Sequence, residues 1–230
     1  LTHRGAVNAD PLTGDGTGIT VEIPFELLQD DCARLGTAVE NRDDLAVAMV
    51  FLPHDEADRA PSRAALEAEV ERLGIGVIGW REVPHDPSVL GPQGLASLPG
   101  IEQLLMKRPD DRHGPEFERQ LYLGRRRAER TFREQSLDCY VVSMSSRTVV
   151  YKGLMIAPRI QEFLPDLADE RMVSRTALLH QRYATNTLPE WKIVQPFRMV
   201  GHNGEINTLL GNRNWMSARE PVLKSAIWGD

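Results

Sequence analysis

Leu45-Ala46-Val47-Ala48-Met49-Val50-Phe51-Leu52 offers no polar position to turn toward water. A continuous apolar run of this length suits a strand buried on both faces, so any fold for this chain must cover that strand from two sides. Other segments supply the cover. Ile19 to Pro24 alternates apolar and polar residues and ends at a proline, which predicts a strand. Phe25 to Leu35 is helix-like and stopped by Gly36. Ser62 is expected to cap a helix whose apolar positions are Ala65, Leu66, Val70 and Leu73. Ile75 to Val83 and Ile101 to Lys107 predict strands, separated by a Pro- and Gly-rich loop from Pro84 to Gly100. Pro115 to Glu134 is helical, with Phe117, Leu121, Ala128 and Phe132 on one side. Tyr140 to Ser145 and Thr148 to Tyr151 are read as strands paired around Ser146-Arg147. A short helix from Ile156 to Leu164 follows, then a surface turn from Asp166 to Asp169, strands from Ser174 to Tyr183 and from Phe197 to His202, and a helix from Ile206 to Arg219. Strands in twos and threes with helices between them predict an α+β protein, with helices on the outer faces of two packed sheets.

Composition narrows the function classes. A formal charge of −6 argues against a nucleic-acid surface. The triplet Arg125-Arg126-Arg127 is interleaved with Glu116, Glu118, Glu129 and Glu134, which predicts a solvated face of mixed charge. No run approaches the ~18 apolar residues that span a bilayer, so no membrane partner is expected. Two cysteines far apart fit a reducing cytoplasm. Cys32 lies in a helix-like run and Cys139 in a strand-like one, so both are expected to pack rather than react. The six histidines are dispersed and no pair has zinc-ligand spacing, so no metal site is expected.

The chemistry is concentrated in His202-Asn203-Gly204-Glu205-Ile206-Asn207-Thr208, shortly after His180-Gln181-Arg182-Tyr183-Ala184-Thr185-Asn186-Thr187. Asn203-Gly204 sets a side-chain amide donor beside an unshielded backbone N–H. Two such donors can hold the negative oxygen of a tetrahedral acyl-transfer intermediate. Arg182 can grip a carboxylate through two parallel hydrogen bonds, which a lysine cannot reproduce. Taken alone, the first segment also reads as a type I′ turn, and Arg182 as a surface arginine at a strand end. Gly14-Asp15-Gly16-Thr17-Gly18 lacks the Lys-Ser/Thr ending of a nucleotide loop and predicts a turn entering a strand.

These blocks do not stand alone. His3-Arg4-Gly5-Ala6-Val7, Asp10-Pro11-Leu12-Thr13-Gly14-Asp15-Gly16-Thr17-Gly18-Ile19, Tyr151-Lys152-Gly153-Leu154, Gln195-Pro196-Phe197-Arg198 and Gly211-Asn212-Arg213-Asn214-Trp215 extend the pattern over nearly the whole chain. In this order they resemble the class II glutamine amidotransferases, most closely the amidotransferase domain of glutamate synthase large chains. The resemblance implies a four-layer α-β-β-α sandwich of the N-terminal-nucleophile hydrolase type, with residues 1–230 as one partial domain. It implies that Arg182 binds the α-carboxylate of glutamine, that Asn203 and Gly204 form the oxyanion hole, and that Arg4 supports the nucleophile strand, with a structural ion pair as its bland alternative. Asn186, Thr187, Trp191 and Gln195 are expected at the pocket rim, and His202 as a packing residue.

The family's nucleophile is an N-terminal cysteine whose own α-amine acts as base, whereas this chain begins Leu1-Thr2-His3. The expectation is therefore a fragment incomplete at both ends and inactive by itself, its nucleophile upstream and the carboxylate for the substrate ammonium beyond Asp230. The implied reaction hydrolyses glutamine to glutamate and ammonia, which passes to 2-oxoglutarate in a separate synthase domain. FMN and an iron–sulfur cluster are implied there, with no cofactor in this segment. Implied partners are the remaining synthase domains of the same chain and a small reductase subunit. Two alternatives stay open: an amidotransferase subunit serving another acceptor, and a catalytically inactive binding module.

Overall fold

The computed structural model describes residues 12–182, 187–198 and 208–227. Among them the chain runs β1 (Thr17–Glu22), α1 (Phe25–Arg34), β2 (Leu45–Leu52), α2 (Arg59–Glu71), β3 (Gly76–Glu82), α3 (Pro92–Ala96), β4 (Gly100–Lys107), α4 (Gly114–Glu134), β5 (Tyr140–Ser145), β6 (Thr148–Gly153), α5 (Ile160–Phe163), β7 (Ala177–Gln181) and α6 (Leu209–Arg219). The strands form two antiparallel sheets, ordered β3-β4-β2-β5 and β6-β1-β7. Residues 1–200 and 201–230 are two separate compact units, and α6 belongs to the second.

β2 is buried at every position, as its composition demands. Side chains alternate across a strand, and here the two sets enter different cores. Leu45, Val47, Met49 and Phe51 share one apolar cluster with Val21 of β1 and with Val149 and Tyr151 of β6. Ala46, Ala48, Val50 and Leu52 share the other with Leu66 and Val70 of α2 and with Phe117, Leu121, Ala128 and Phe132 of α4. The larger sheet therefore has helices on one face and the smaller sheet's residues in the core of the other. α4 supplies its four apolar residues from a single stripe, as helical spacing requires. Each large aliphatic or aromatic side chain withdrawn from water in this way contributes about 1.5–3 kcal/mol before entropy is counted.

Five expectations need correction. Tyr140–Ser145 and Thr148–Gly153 are consecutive but do not pair in one sheet: β5 bonds to β2 and β6 to β1. The chain turns a corner at Ser145-Ser146-Arg147, where Glu118 of α4 accepts from the Ser146 N–H (2.6 Å) and from the hydroxyls of Ser145 (3.1 Å) and Ser146 (2.6 Å). The Ile23 N–H then donates to Arg147 O at 3.0 Å, handing the strand to the other sheet. Ser62 is not a cap. α2 begins at Arg59, whose guanidinium donates to the carbonyls of Pro53 and His54 and to Glu102, and Pro61 is tolerated in the first turn.

Asp166 is not on a surface turn; it is 5% exposed, drawn inward by Arg81. Arg125 is not on a solvated face: it is buried, with its guanidinium over the Tyr122 ring and bonded to Glu129. The loop from Pro84 to Gly100 also carries structure of its own, a 3₁₀ turn at Pro87–Val89 and α3. Of the strand expected from Phe197 to His202, only Phe197 and Arg198 lie among the described residues.

Candidate functional site

Arg182 stands at the end of β7, just past the register pair Thr17–Gln181. Two bonds fix that end of the strand against the start of β1. The Arg182 N–H donates to Gly16 O at 2.9 Å, and Thr17 Oγ1 donates to His180 O at 3.0 Å. The guanidinium is partly committed: Nη2 donates to Thr187 Oγ1, while Nη1 is buried and meets no acceptor among the described residues. A buried charged donor left without an acceptor is costly. The free edge of Arg182 is therefore suited to an anionic group brought from elsewhere.

The stretch beneath it leads into β1, as its sequence predicts, and it packs closely. Gly16 has φ +107°, and a Cβ there would collide with the Val194 side chain. A Cβ on Gly18 would lie 2.6 Å from Lys152 Cβ and 2.7 Å from Gln195 O. Only glycine lets the 191–196 segment lie this close to β1. That segment begins in the core, because Trp191 is 5% exposed, donates from Nε1 to Gly94 O and meets Phe51 edge-on at 5.7 Å. Trp191 is thus a core anchor and not a rim residue. Gln195 contributes its backbone to the packing against Gly18.

Lys152, within the block Tyr151-Lys152-Gly153-Leu154, has no role that the sequence alone assigns. It is 2% exposed. Its Nζ donates to Val194 O at 2.7 Å and Lys192 O at 3.1 Å, and lies 5.0 Å from the Tyr140 ring, 5.2 Å from Phe197 and 5.9 Å from Phe51. Burial, reinforced by the charge of Arg198, lowers its pKa from 10.5 to about 7. A cation in the apolar run from Val149 to Leu154 was the available signal. Arg198 lies over the other side of this environment, 5.7 Å from the Tyr140 ring and bonded to Val141 O, with burial pulling its pKa down.

A second polar cluster joins the two sheets. Arg81 donates from Nε to Asp31 (2.7 Å) and from both terminal nitrogens to Asp166 (2.7 and 2.8 Å). Tyr151 donates to Asp166 at 3.1 Å and accepts from Gln103 at 3.1 Å. An open cavity of about 640 Å³ lies beside this cluster, but its charged lining residues Arg34, Arg81 and Arg171 are already paired with Asp31, Asp166 and Asp169.

Neither cysteine is fit for nucleophilic attack. Burial pushes the Cys32 thiol up to about 11 and the Cys139 thiol up to about 12, far from the thiolate that reacts. Among the described residues no three His, Cys, Asp or Glu side chains group to hold a metal ion, and no helix is long and apolar enough to cross a membrane. The structure brings Arg182 together with Thr187 and the glycine turn. Arg4, Asn186, His202, Asn203 and Gly204 lie outside the described residues.

The family model for glutamine amidotransferases class-II matches residues 1–230. The chain is 43% identical over 230 residues to the NADPH glutamate synthase large chain of Azospirillum brasilense, covering 99% of this chain and 15% of that protein. It is 40% identical over 230 residues to the chloroplastic ferredoxin-dependent glutamate synthase of Oryza sativa subsp. japonica, covering 99% of this chain and 14% of that protein. Identity to the NADPH glutamate synthase large chain of Bacillus subtilis is 40% over 231 residues, covering 100% of this chain and 15% of that protein. The chain therefore spans about one seventh of the length of these curated relatives.

Proposed function

The chain belongs to the class II glutamine amidotransferases, and from that premise we propose that it is the glutamine-hydrolysing part of a glutamate synthase. The observation that carries this reading is Arg182, held by Gly16 O through its backbone and by Thr187 through one nitrogen, with Nη1 buried and unspent. In this reading the free edge of the guanidinium binds the α-carboxylate of glutamine and fixes the side-chain amide at the attacking sulfur. Asn203 donates from its side-chain NH₂, and Gly204 from its backbone N–H, to the amide oxygen as it becomes charged. Arg4 supports the nucleophile strand.

The nucleophile is neither Cys32 nor Cys139. It is a cysteine thiolate supplied from outside these residues, its proton taken by an adjacent α-amine. Attack on the amide carbon forms a thioester and releases ammonia, and water then cleaves the thioester to glutamate. Ammonia passes to 2-oxoglutarate in synthase domains of the same polypeptide, which carry FMN and an iron–sulfur cluster and draw electrons through a reductase partner. Cys32 and Cys139 do not amount to the four thiolates a cluster takes, which supports placing that chemistry in another domain.

The complete domain is then a four-layer α-β-β-α sandwich, of which residues 1–230 form part. Support comes from the core shared between the two sheets and from α2 and α4 lying on the outer face of the larger one. Two free cysteines suit a reducing cytoplasm.

The test is glutamine hydrolysis by the full-length polypeptide that carries this domain. Arg182→Lys keeps the charge but loses the fork, so KM for glutamine should rise with kcat little changed. Asn203→Ala should lower kcat roughly 10²–10³-fold with KM little changed. The opposite pattern would exchange the two roles, and a full-length protein that releases no ammonia would remove the reading altogether.

A further inference from the structure

Arg182 is held from two directions by one stretch of chain. Its Nη2 donates to Thr187 Oγ1, where that stretch begins, and its N–H donates to Gly16 O. Gly16 in turn lies against the Val194 side chain, so closely that a β-carbon would have no room. The guanidinium therefore rests on the Thr187 end of the segment 187–194, and the backbone of Arg182 rests, through Gly16, on the Val194 end. All of these residues belong to the compact unit of residues 1–200.

A segment that carries such a load has to be held itself, and it has little regular structure of its own. Its one element is the 3₁₀ turn Trp191–Ile193. Two side chains secure it. Trp191 is buried in the core and donates to Gly94 O. Lys152 donates from Nζ to Val194 O at 2.7 Å and to Lys192 O at 3.1 Å. Main-chain carbonyls buried outside helices and sheets need donors from elsewhere, and this amine serves two of them. Methionine or leucine would fill the same volume with far less loss of hydration, so the donor is what a lysine adds here. The sheet puts it within reach: Lys152 pairs across β1 with Gly18, and Gly18 pairs with His180 of the strand that leads to Arg182.

We propose that Lys152 is a positioning residue for substrate binding: by holding Lys192 O and Val194 O it keeps the segment 187–194 against Gly16, and so aims the free edge of the Arg182 guanidinium at the substrate carboxylate. This rests on the amidotransferase reading of Arg182. A guanidinium makes two parallel bonds to a carboxylate only when the two planes are aligned, so a small tilt of Arg182 costs affinity. The effect of Lys152 therefore falls on glutamine binding, and it runs through Arg182. A lysine that only stabilised the fold would act whatever residue stood at position 182.

The experiment is a double-mutant cycle on the full-length polypeptide: wild type, Lys152→Met, Arg182→Lys and the double variant. Glutaminase kcat and KM are measured for each, with thermal unfolding. Lys152→Met is expected to unfold cooperatively, to raise KM for glutamine roughly fivefold or more, and to keep kcat within about threefold of wild type. In the Arg182→Lys background the same substitution should move KM by less than about twofold, because two residues acting through one interaction are not additive. An unmoved KM in Lys152→Met would overturn the proposal, as would a loss confined to kcat, or an equal rise in KM in both backgrounds. Should Lys152→Met not fold, Val194→Ala decides, since it loosens the contact with Gly16 while leaving the lysine its two carbonyls. A raised KM that disappears in the Arg182→Lys background supports the proposal, and an unmoved KM overturns it. Wild-type protein without glutaminase activity, or Arg182→Lys with an unmoved KM, would refute the underlying reading and the proposal with it. Active wild type, with KM raised by Arg182→Lys but not by Lys152→Met, would overturn the proposal alone.

Discussion

Lys152 also makes a thermodynamic prediction that needs no enzyme assay. Its pKa falls from the ordinary 10.5 to about 7, first because burial strips the ammonium of water and second because Arg198 repels it. At about 1.4 kcal/mol per pH unit, that displacement corresponds to about 5 kcal/mol between the two protonation states. The sign follows from proton counting. Between about pH 7 and pH 10.5 the unfolded chain keeps a proton on this lysine that the folded chain has lost. Stability from this group therefore rises with pH across that window and is lost as pH falls to about 7.

Denaturant unfolding of wild type and Lys152→Met, from about pH 6 to about pH 9, isolates the effect because all other titrating groups are shared. The wild-type stability should gain on the variant by about 2–3 kcal/mol between pH 7 and pH 9, and by almost nothing below pH 7. Arg198→Met in the wild-type background should move the onset to higher pH by relieving the repulsion. A stability difference that is flat, or that falls with pH, would show that the ammonium is not desolvated as its surroundings imply.

Two further outcomes follow from the buried groups. Arg81→Met strands Asp31 and Asp166 in the interior and should cost about 3–5 kcal/mol in denaturant unfolding, while replacing all three with apolar residues of similar volume should recover most of it; Arg171→Ala, on an exposed pair with Asp169, should leave the midpoint unchanged. Cys32→Ser and Cys139→Ser should each leave glutaminase activity of the full-length polypeptide intact, and loss of ammonia release in either would return that thiol to the list of nucleophiles.

The elements that sequence made legible are those with one strong period. β2 is read residue for residue because nothing in Leu45–Leu52 can face water. α1 ends at Arg34 with Gly36 at φ +86°, where only a glycine is at ease. α4 follows its stripe of Phe117, Leu121, Ala128 and Phe132. Local pattern failed where a distant partner decided the outcome. Ser145-Ser146-Arg147 has the composition of a hairpin turn, yet Glu118, more than twenty residues earlier, accepts its donors and turns it into a corner between sheets. Asp166 looks like a turn residue until Arg81 draws it inward. Of the candidate site, Arg182 stands out in the sequence because its neighbours carry a recognisable block. Lys152 does not, because its role depends on carbonyls, and a carbonyl leaves no mark in a sequence.

Arg182 and the 191–196 segment share one support. Arg182 hangs from Gly16 O, Val194 fills the space under Gly16, Gln195 lies on Gly18, and Lys152 holds Val194 from below. The arginine proposed to bind the substrate carboxylate and the 191–196 segment thus rest on the same glycine-rich entry to β1. A donor displaced by even 1 Å loses much of its effect on a developing charge, and loops alone seldom hold a chain that tightly. Here the loop is pinned on three sides by parts of the fold that cannot easily give: a two-strand register, a pair of glycines without room for a β-carbon, and a lysine that donates to Lys192 O and Val194 O. Burying that amine is costly, and the two carbonyls it satisfies are what the fold gains over an apolar residue of the same size.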